Sequence, residues 1–241
     1  MKLSNIELKN IKYAAFASEE TKCEHIFRHK QMNILIACET SGVVRESFRA
    51  LGHDVTSCDL LPADDSSPHH IVGDCREVIS AGGQTRLVRG EFVTDVWDLI
   101  IMHPPCTALS VSGNRWYGRN MPKHQQRLDA IRWTMDLWTL ARRHSASVCM
   151  ENPVGVLPLK PTQYIQPWQF GHPESKKTGL WLWGLPELEP TDLLPTPVNG
   201  RWDNQTPSGQ NKLGPSPDRW KIRSKTYDGI AQAMANKWGA K

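Results

Sequence analysis

The stretch WDLIIMHPPCTALS, Trp97 to Ser110, ends an apolar run on a thiol placed directly behind two prolines. Pro104 and Pro105 fix two backbone torsions and remove two amide donors, so the chain leaves the run stiffly and presents Cys106 in a set direction. A thiol aimed in this way suits covalent catalysis. Most free cysteines are small buried hydrophobes, and Cys38, Cys58, Cys75 and Cys149 are read as such. Glu151 and Asn152 in MENP follow a second apolar run; they are either a carboxyl and an amide for holding a polar ligand or a capping pair before a proline turn. His103, Cys106 and Asn152 supply the residue types of a cysteine hydrolase, yet nothing places His103 as a base for the thiol three residues further on. Two acids, Asp59 and Asp74, end short runs of their own. Asp59 suits ribose hydroxyls or a turn cap, and Asp74 suits an adenine amino group or an Asx-turn.

The elements that must position these groups alternate. MNILIA (Met32 to Ala37) is short and nearly all apolar, as in a strand buried on both faces of a parallel sheet. The turn CETSG carries one glycine, Gly42, where a dinucleotide fingerprint would carry several. VVRESFRALG then reads as a helix with Val44, Phe48 and Leu51 on one face and Gly52 as its stop. HDVTSCDL is a second strand, IVGDC a short strand or edge, WDLIIM a third buried strand and SVCMENP a fourth. Between the last two, PKHQQRLDAIRWTMDLWTLARRH predicts a long amphipathic helix with Leu128, Ile131, Met135 and Trp138 stacked. Polar residues gather just past the strand ends, which predicts an open α/β sheet with its ligand over those ends. From about Pro153 the chain turns irregular and rich in Pro, Gly, Trp and amides, with one strand candidate in GLWLWG and a final helix in GIAQAMANKWG. Irregular length of this kind is used for recognition more often than for scaffolding.

At 241 residues one main domain is expected, with residues 1–30, which lack a sustained period, as an appended segment. The net charge of +4 suits a polyanion without requiring one. Six scattered cysteines with no CxxC pair indicate neither a zinc site nor a disulfide framework. No metal is expected. No apolar run approaches the roughly 20 residues of a membrane span, and the start lacks a signal-peptide core, so a soluble, cytoplasmic protein is expected.

In order, ACETSGVVRESFRALG, CDLLP, GDCREV, HPPCTALS, MENPVG, FGHPESKKT and TYDGIAQAMANKWG resemble the motifs of the DNA cytosine-C5 methyltransferases, in the compact form familiar from bacteriophages and bacteria. The resemblance runs from about Met32 to Gly239, and its PPC and ENP elements are the specific part. It implies a Rossmann-like S-adenosylmethionine-dependent methyltransferase fold: a catalytic domain over 31–184, a small irregular target-recognition region over 185–225, and a C-terminal helix over 226–241 packing back on the catalytic domain. It also implies S-adenosyl-L-methionine as methyl donor, double-stranded DNA as partner and a monomeric enzyme, in the setting of restriction-modification. Cys106 would add to C6 of a flipped cytosine, Glu151 would hold N3 with a raised pKa, Asn152 would fix the loop, and Lys176 would take the first of two arginine positions. The cofactor would lie against Cys38, Glu39, Thr40, Ser41, Gly42, Asp59, Leu60, Asp74, Pro104 and Gly229.

The match departs from the family in FGHPESKKT, where Glu174 replaces a glutamine and Thr178 stands at the second arginine position, leaving Lys177 as the cation nearest the missing role. Within 185–225, which also holds Lys212, the arginine Arg201 and the amides Asn204, Gln205, Gln210 and Asn211 are candidates to read bases and the basic cluster near Arg219 to hold phosphates, the alternative for either set being solvated loop. Action on RNA or a nucleotide, or a non-catalytic DNA-binding module, stand as alternatives. An amino-methylating enzyme is disfavoured, because His103 and Cys106 hold the places its acid, Asn or Ser and its aromatic would occupy around the prolines.

Overall fold

A computed structural model describes residues 31–82, 85–88, 91–94, 97–209, 211–214 and 216–240; the expectations for residues 1–30 and for Gln210 lie outside them. Residues 32–240 form one compact unit.

The apolar runs become strands. β1 (Asn33–Ala37), β2 (Asp54–Asp59), β3 (His70–Val72), β6 (Leu99–Met102), β7 (Val148–Pro153), β8 (Gln163–Ile165) and β9 (Thr178–Trp183) form a seven-stranded sheet in the order β3-β2-β1-β6-β7-β9-β8. The strands from β3 to β7 pair in parallel, and β9 is inserted antiparallel between β7 and β8. The crossovers are α1 (Val43–Arg49), α2 (Cys75–Ala81) and α4 (His124–His144), with a one-turn α3 (Asn114–Tyr117) ahead of α4; α5 (Arg219–Ser224) and α6 (Asp228–Trp238) end the chain. The fold is thus the Rossmann-like α/β fold that the family resemblance implies.

Successive strand residues point to opposite faces, and both faces are covered, which is why the central runs are continuously apolar. Ile34, Ile36, Leu99 and Ile101 pack with Val44 and Phe48 of α1 and with Ile230, Met234 and Trp238 of α6. Leu35, Ala37, Ile100, Met102, Val148 and Met150 pack with Cys75 and Ile79 of α2 and with Leu137, Trp138 and Ala141 of α4. The final helix therefore seals one core.

Register sets the functional rim. Ala37 lies opposite Cys58 and Met102, and Met102 opposite Met150. The residues that follow, Cys38, Asp59, His103 and Glu151, accordingly emerge side by side. Because β9 runs the other way, pairing Glu151 with Leu180 and Pro153 with Thr178, its beginning reaches the same rim.

Several expectations need correction. Leu51 is 44% exposed because α1 ends at Arg49; Gly52, at φ 85°, makes the turn as expected. On α4 the buried stripe is Arg127, Thr134, Leu137, Trp138 and Ala141, while Leu128 is 41% exposed. The stripe is rotated because Arg127 turns inward to bind the loop after Cys106. Helix α2 and the separate antiparallel hairpin of β4 (Thr85–Val88) and β5 (Glu91–Thr94) had no counterpart in the sequence reading, nor did β8 within the proline-rich run.

Candidate active site

Cys106 emerges from the two prolines, partly exposed, at the start of a turn in which its carbonyl accepts from Leu109 N at 3.0 Å and Ser110 N at 2.9 Å. Two side chains fix this turn. Asn152 is 1% exposed and donates from Nδ2 to the Pro104 carbonyl at 2.8 Å, which ties the proline step to the end of β7. Arg127 is 5% exposed and donates to Ala108 O at 2.7 Å, Asn114 Oδ1 at 2.7 Å and Ser110 O at 3.2 Å. The loop beyond the thiol is held by one guanidinium, a planar group with several fixed donors.

Glu151 lies buried beneath. His103 Nδ1 is 3.0 Å from its Oε2, while His103 Nε2 and Asn152 Oδ1 are buried with no hydrogen-bond partner. The cysteine-hydrolase arrangement is not formed, since His103 turns to Glu151 rather than to Cys106. Burial pushes the Glu151 carboxyl up, but the His103 hydrogen bond, the charges of Lys176 and His103 and a Thr178 hydrogen bond together outweigh it and hold the group below its ordinary value. The expected raised pKa is therefore corrected: this pocket is buried but rich in donors.

Cys106 is pushed above its ordinary value by burial and then by the Glu151 charge, with Lys176 and Arg223 acting in the opposite direction. Lys176 therefore favours the charged forms of both Cys106 and Glu151. Its Nζ also donates to Lys225 O at 3.3 Å and lies 5.7 Å from the Tyr227 ring. Thr178, in the second position, carries no charge, and its buried hydroxyl donates to the Lys176 carbonyl at 3.0 Å. Lys177, directly before β9, instead lies over the Tyr164 ring at 4.4 Å. The second cation near the thiol is Arg223, from α5.

Among the expected cofactor residues, Asp59 follows the register onto the rim; its Oδ1 accepts from Leu61 N at 3.0 Å, and Leu60 beside it is 74% exposed. Glu39 turns inward and caps α1, accepting from Val44 N at 2.9 Å and Arg45 N at 3.3 Å. Asp74 caps α2 through Arg76 N at 2.9 Å and is otherwise occupied by the Arg76 guanidinium, which holds its carboxyl below the ordinary value. Cys38 sits at φ 60° with its sulfur 3.7 Å from that of Cys75. Gly42, at φ 71°, opens α1, and a side chain there would collide with Arg45 and Asp65. Pro104 is buried. Gly229 owes its identity to close packing, since a Cβ would lie 2.0 Å from Phe170 O.

No family model and no curated protein matches this chain. Among solved structures it is similar to the bifunctional kinase-methyltransferase WbdD, at 16% identity and a TM-score of 0.37, over 85% of this chain and 44% of that one. WbdD with a bound kinase inhibitor gives 16% and 0.37, over 76% and 42%. The Dnmt2 methyltransferase of S. pombe gives 12% and 0.36, over 66% and 51%. The chain spans about half or less of each of these. Overlap of this extent leaves the functional reading to the chain's own residues.

The recognition candidates are largely committed to internal bonds. Asn204 donates to Ser175 O at 2.9 Å and Glu174 Oε2 at 3.2 Å and accepts from Ser175 N at 3.0 Å, so its amide anchors the segment before β9 that carries Lys176. Gln205 accepts from Trp202 N and Asn211 from Leu213 N, each at 2.9 Å, within turns. Trp202 stacks on Trp168 at 5.9 Å and 8°. Arg127 was not singled out by sequence; His103 was weighed there only as a hydrolase base and Thr178 only as a departure at the second arginine position.

Proposed function

We propose that this chain transfers a methyl group from S-adenosyl-L-methionine to C5 of cytosine in double-stranded DNA, through a covalent bond from Cys106 to C6 of a base turned out of the helix. The observation that carries the reading is the rigidly presented Cys106 thiol beside the buried Glu151, with Lys176 acting on both. Cytosine C5 is too weak a nucleophile to take a methyl group, and addition of Sγ at C6 makes the ring enamine-like. Glu151 would engage N3 as charge builds there, and Asn152 keeps the Pro104–Cys106 step from moving. Loss of the C5 proton then expels Sγ and restores the C5–C6 double bond. Because both ring faces must be reached, the base has to leave the stack.

The methyl donor would supply an electrophilic carbon. Asp59 fits its ribose, since Oδ2 has no hydrogen-bond partner among the described residues, and the exposed Leu60, Ile71 and Val72 offer apolar surface beside it. Asp74 does not fit as an adenine acceptor, because Arg76 occupies it. Arg219, Lys221 and Arg223 on α5 would hold phosphates.

Duplex DNA containing 5-fluorocytosine, incubated with the protein and the methyl donor, tests the reading by intact mass. A protein–DNA adduct carrying one methyl group, absent with Cys106→Ser, is expected, because fluorine at C5 blocks release. Absence of any adduct across all short cytosine contexts, with donor binding intact, overturns DNA as substrate; an adduct on 5-fluorocytosine RNA would move the same chemistry to RNA.

A further inference from the structure

We propose that His103 and Glu151 form one proton-carrying pair, in which His103 supplies through Nδ1 the proton that Glu151 delivers to N3 of the target cytosine. The proposal rests on the cytosine-C5 reading above and assigns a role to a residue which that reading leaves idle.

Three observations lead to it. First, the two side chains meet at 3.0 Å although they are 48 residues apart, with only 9% and 11% of each exposed. The parallel pairing of β6 with β7 makes them neighbours, so the contact is built into the sheet. Second, N3 of cytosine carries a lone pair and no proton. A carboxylate facing it presents lone pair to lone pair, so Glu151 must gain a proton before it can bind the ring. Burial pushes the Glu151 carboxyl up, but the His103 hydrogen bond and the Lys176 charge outweigh it and favour the carboxylate, so the proton must come from a group in contact with it. Third, His103 Nε2 is buried and has no partner. A histidine kept only to brace a carboxylate has no use for that orphaned nitrogen, and buried unsatisfied polar atoms in native structures call for a functional reason.

The other groups facing the pair cannot serve. Cys149, two residues before Glu151 on β7, is fully buried and pushed well up, so it stays a thiol. Lys176 donates to the Lys225 carbonyl, a guanidinium such as that of Arg223 does not give up its proton, and among the described residues Cys106 makes no hydrogen bond to Glu151, whereas His103 does. The pair carries one proton, written either as imidazolium with carboxylate or as imidazole with carboxylic acid. The second form is the one that can donate to N3. As the Sγ–C6 bond forms, the C5–C6 π electrons shift into the ring and N3 takes the proton from Glu151. The negative charge brought by the thiolate is thereby matched by the proton charge that left His103, and the buried site keeps its net charge. Elimination of Sγ returns the proton from N3 to the pair. His103 touches no reacting atom and is a positioning and proton-supplying residue.

The test is the pH dependence of single-turnover adduct formation on 5-fluorocytosine duplex, for the wild type and His103→Asn. Asparagine can still donate a hydrogen bond to Glu151 but is not an acid that can hand over a proton. For the wild type the rate rises with pH as Cys106 ionises and falls once the pair has lost its proton. In His103→Asn the falling limb moves several pH units to the acid side, and the rate at pH 7.5 drops roughly 100-fold, the lower range for loss of general acid catalysis. Methyl-donor affinity, measured by calorimetry, stays unchanged. A His103→Asn profile superimposable on the wild type overturns the proposal. Imidazole ¹⁵N NMR of the free protein gives a readout independent of substrate: Glu151→Gln is expected to lower the pH at which His103 gives up its proton, and an unchanged titration also overturns the pairing. Lack of any wild-type adduct on DNA or RNA, with the NMR coupling present, would instead fault the cytosine-C5 reading alone.

Discussion

Cys106 is pulled in two directions, by burial and the Glu151 carboxylate toward the thiol and by Lys176 and Arg223 toward the thiolate. Alkylation by iodoacetamide should therefore keep accelerating past about pH 8.5, the value of an ordinary free cysteine. Glu151→Gln removes a charge that raises the pKa and should speed alkylation at pH 7.5 several-fold, whereas Lys176→Met should slow it by a similar factor. Glu151 also bears on stability. Its folded-state pKa lies below the unfolded value of about 4.3, so its contribution is fully present above that pH and is lost as the pH falls through the lower folded value. Acid unfolding followed by circular dichroism should accordingly be shallower below pH 4 for Glu151→Gln than for the wild type. The placement of Cys106, Glu151 and Asn152 at strand ends was legible because prolines and strand ends are local signals. His103 was legible only as a residue type, since its partner is fixed by the pairing of two strands.

Helix α4 shows how an element can serve the site from a distance. One buried guanidinium holds three acceptors in the loop that follows the thiol, so Arg127→Met should cost about 3 kcal/mol, near one unit per bond lost from a charged donor. Urea unfolding measures that loss. Limited proteolysis should cut within 107–114 in the variant before the wild type is cut there, and kcat should fall more than KM. Helix periodicity located α4, but hydrophobic stacking chose Leu128 for the stripe because a sequence pattern weighs an arginine as solvent-facing. The central strands were readable from their continuous apolar runs. β8 has only three residues, and α2 is a short helix whose buried face is Cys75 and Ile79, too little for a period to emerge.

Across the molecule, α5 links the two ends of the rim. Lys221 meets Asp64 at 2.8 Å in the loop that follows β2, and the Lys225 carbonyl receives Lys176. The helix buries none of its residues; Arg223 is exposed, and half-exposed Arg219 donates to Gly214 O at 3.0 Å. Replacing both by Ala should weaken DNA binding nearly uniformly across sequences and reduce the slope of log affinity against log salt by up to about 2, measurable by fluorescence anisotropy at several salt concentrations. Residues 185–225 were legible as irregular and amide-rich; that Asn204 and Gln205 face inward is a property of the folded turns and of no local pattern. The parallel stack of Trp168 on Trp202 joins this stretch to the segment before β9. Two indoles so placed share their electronic excitation, which gives the protein an optical signature of its own. A paired band in the near-ultraviolet circular dichroism, lost in Trp202→Phe, would report whether the irregular stretch stays docked as titrants are added, without a label and without knowledge of the substrate.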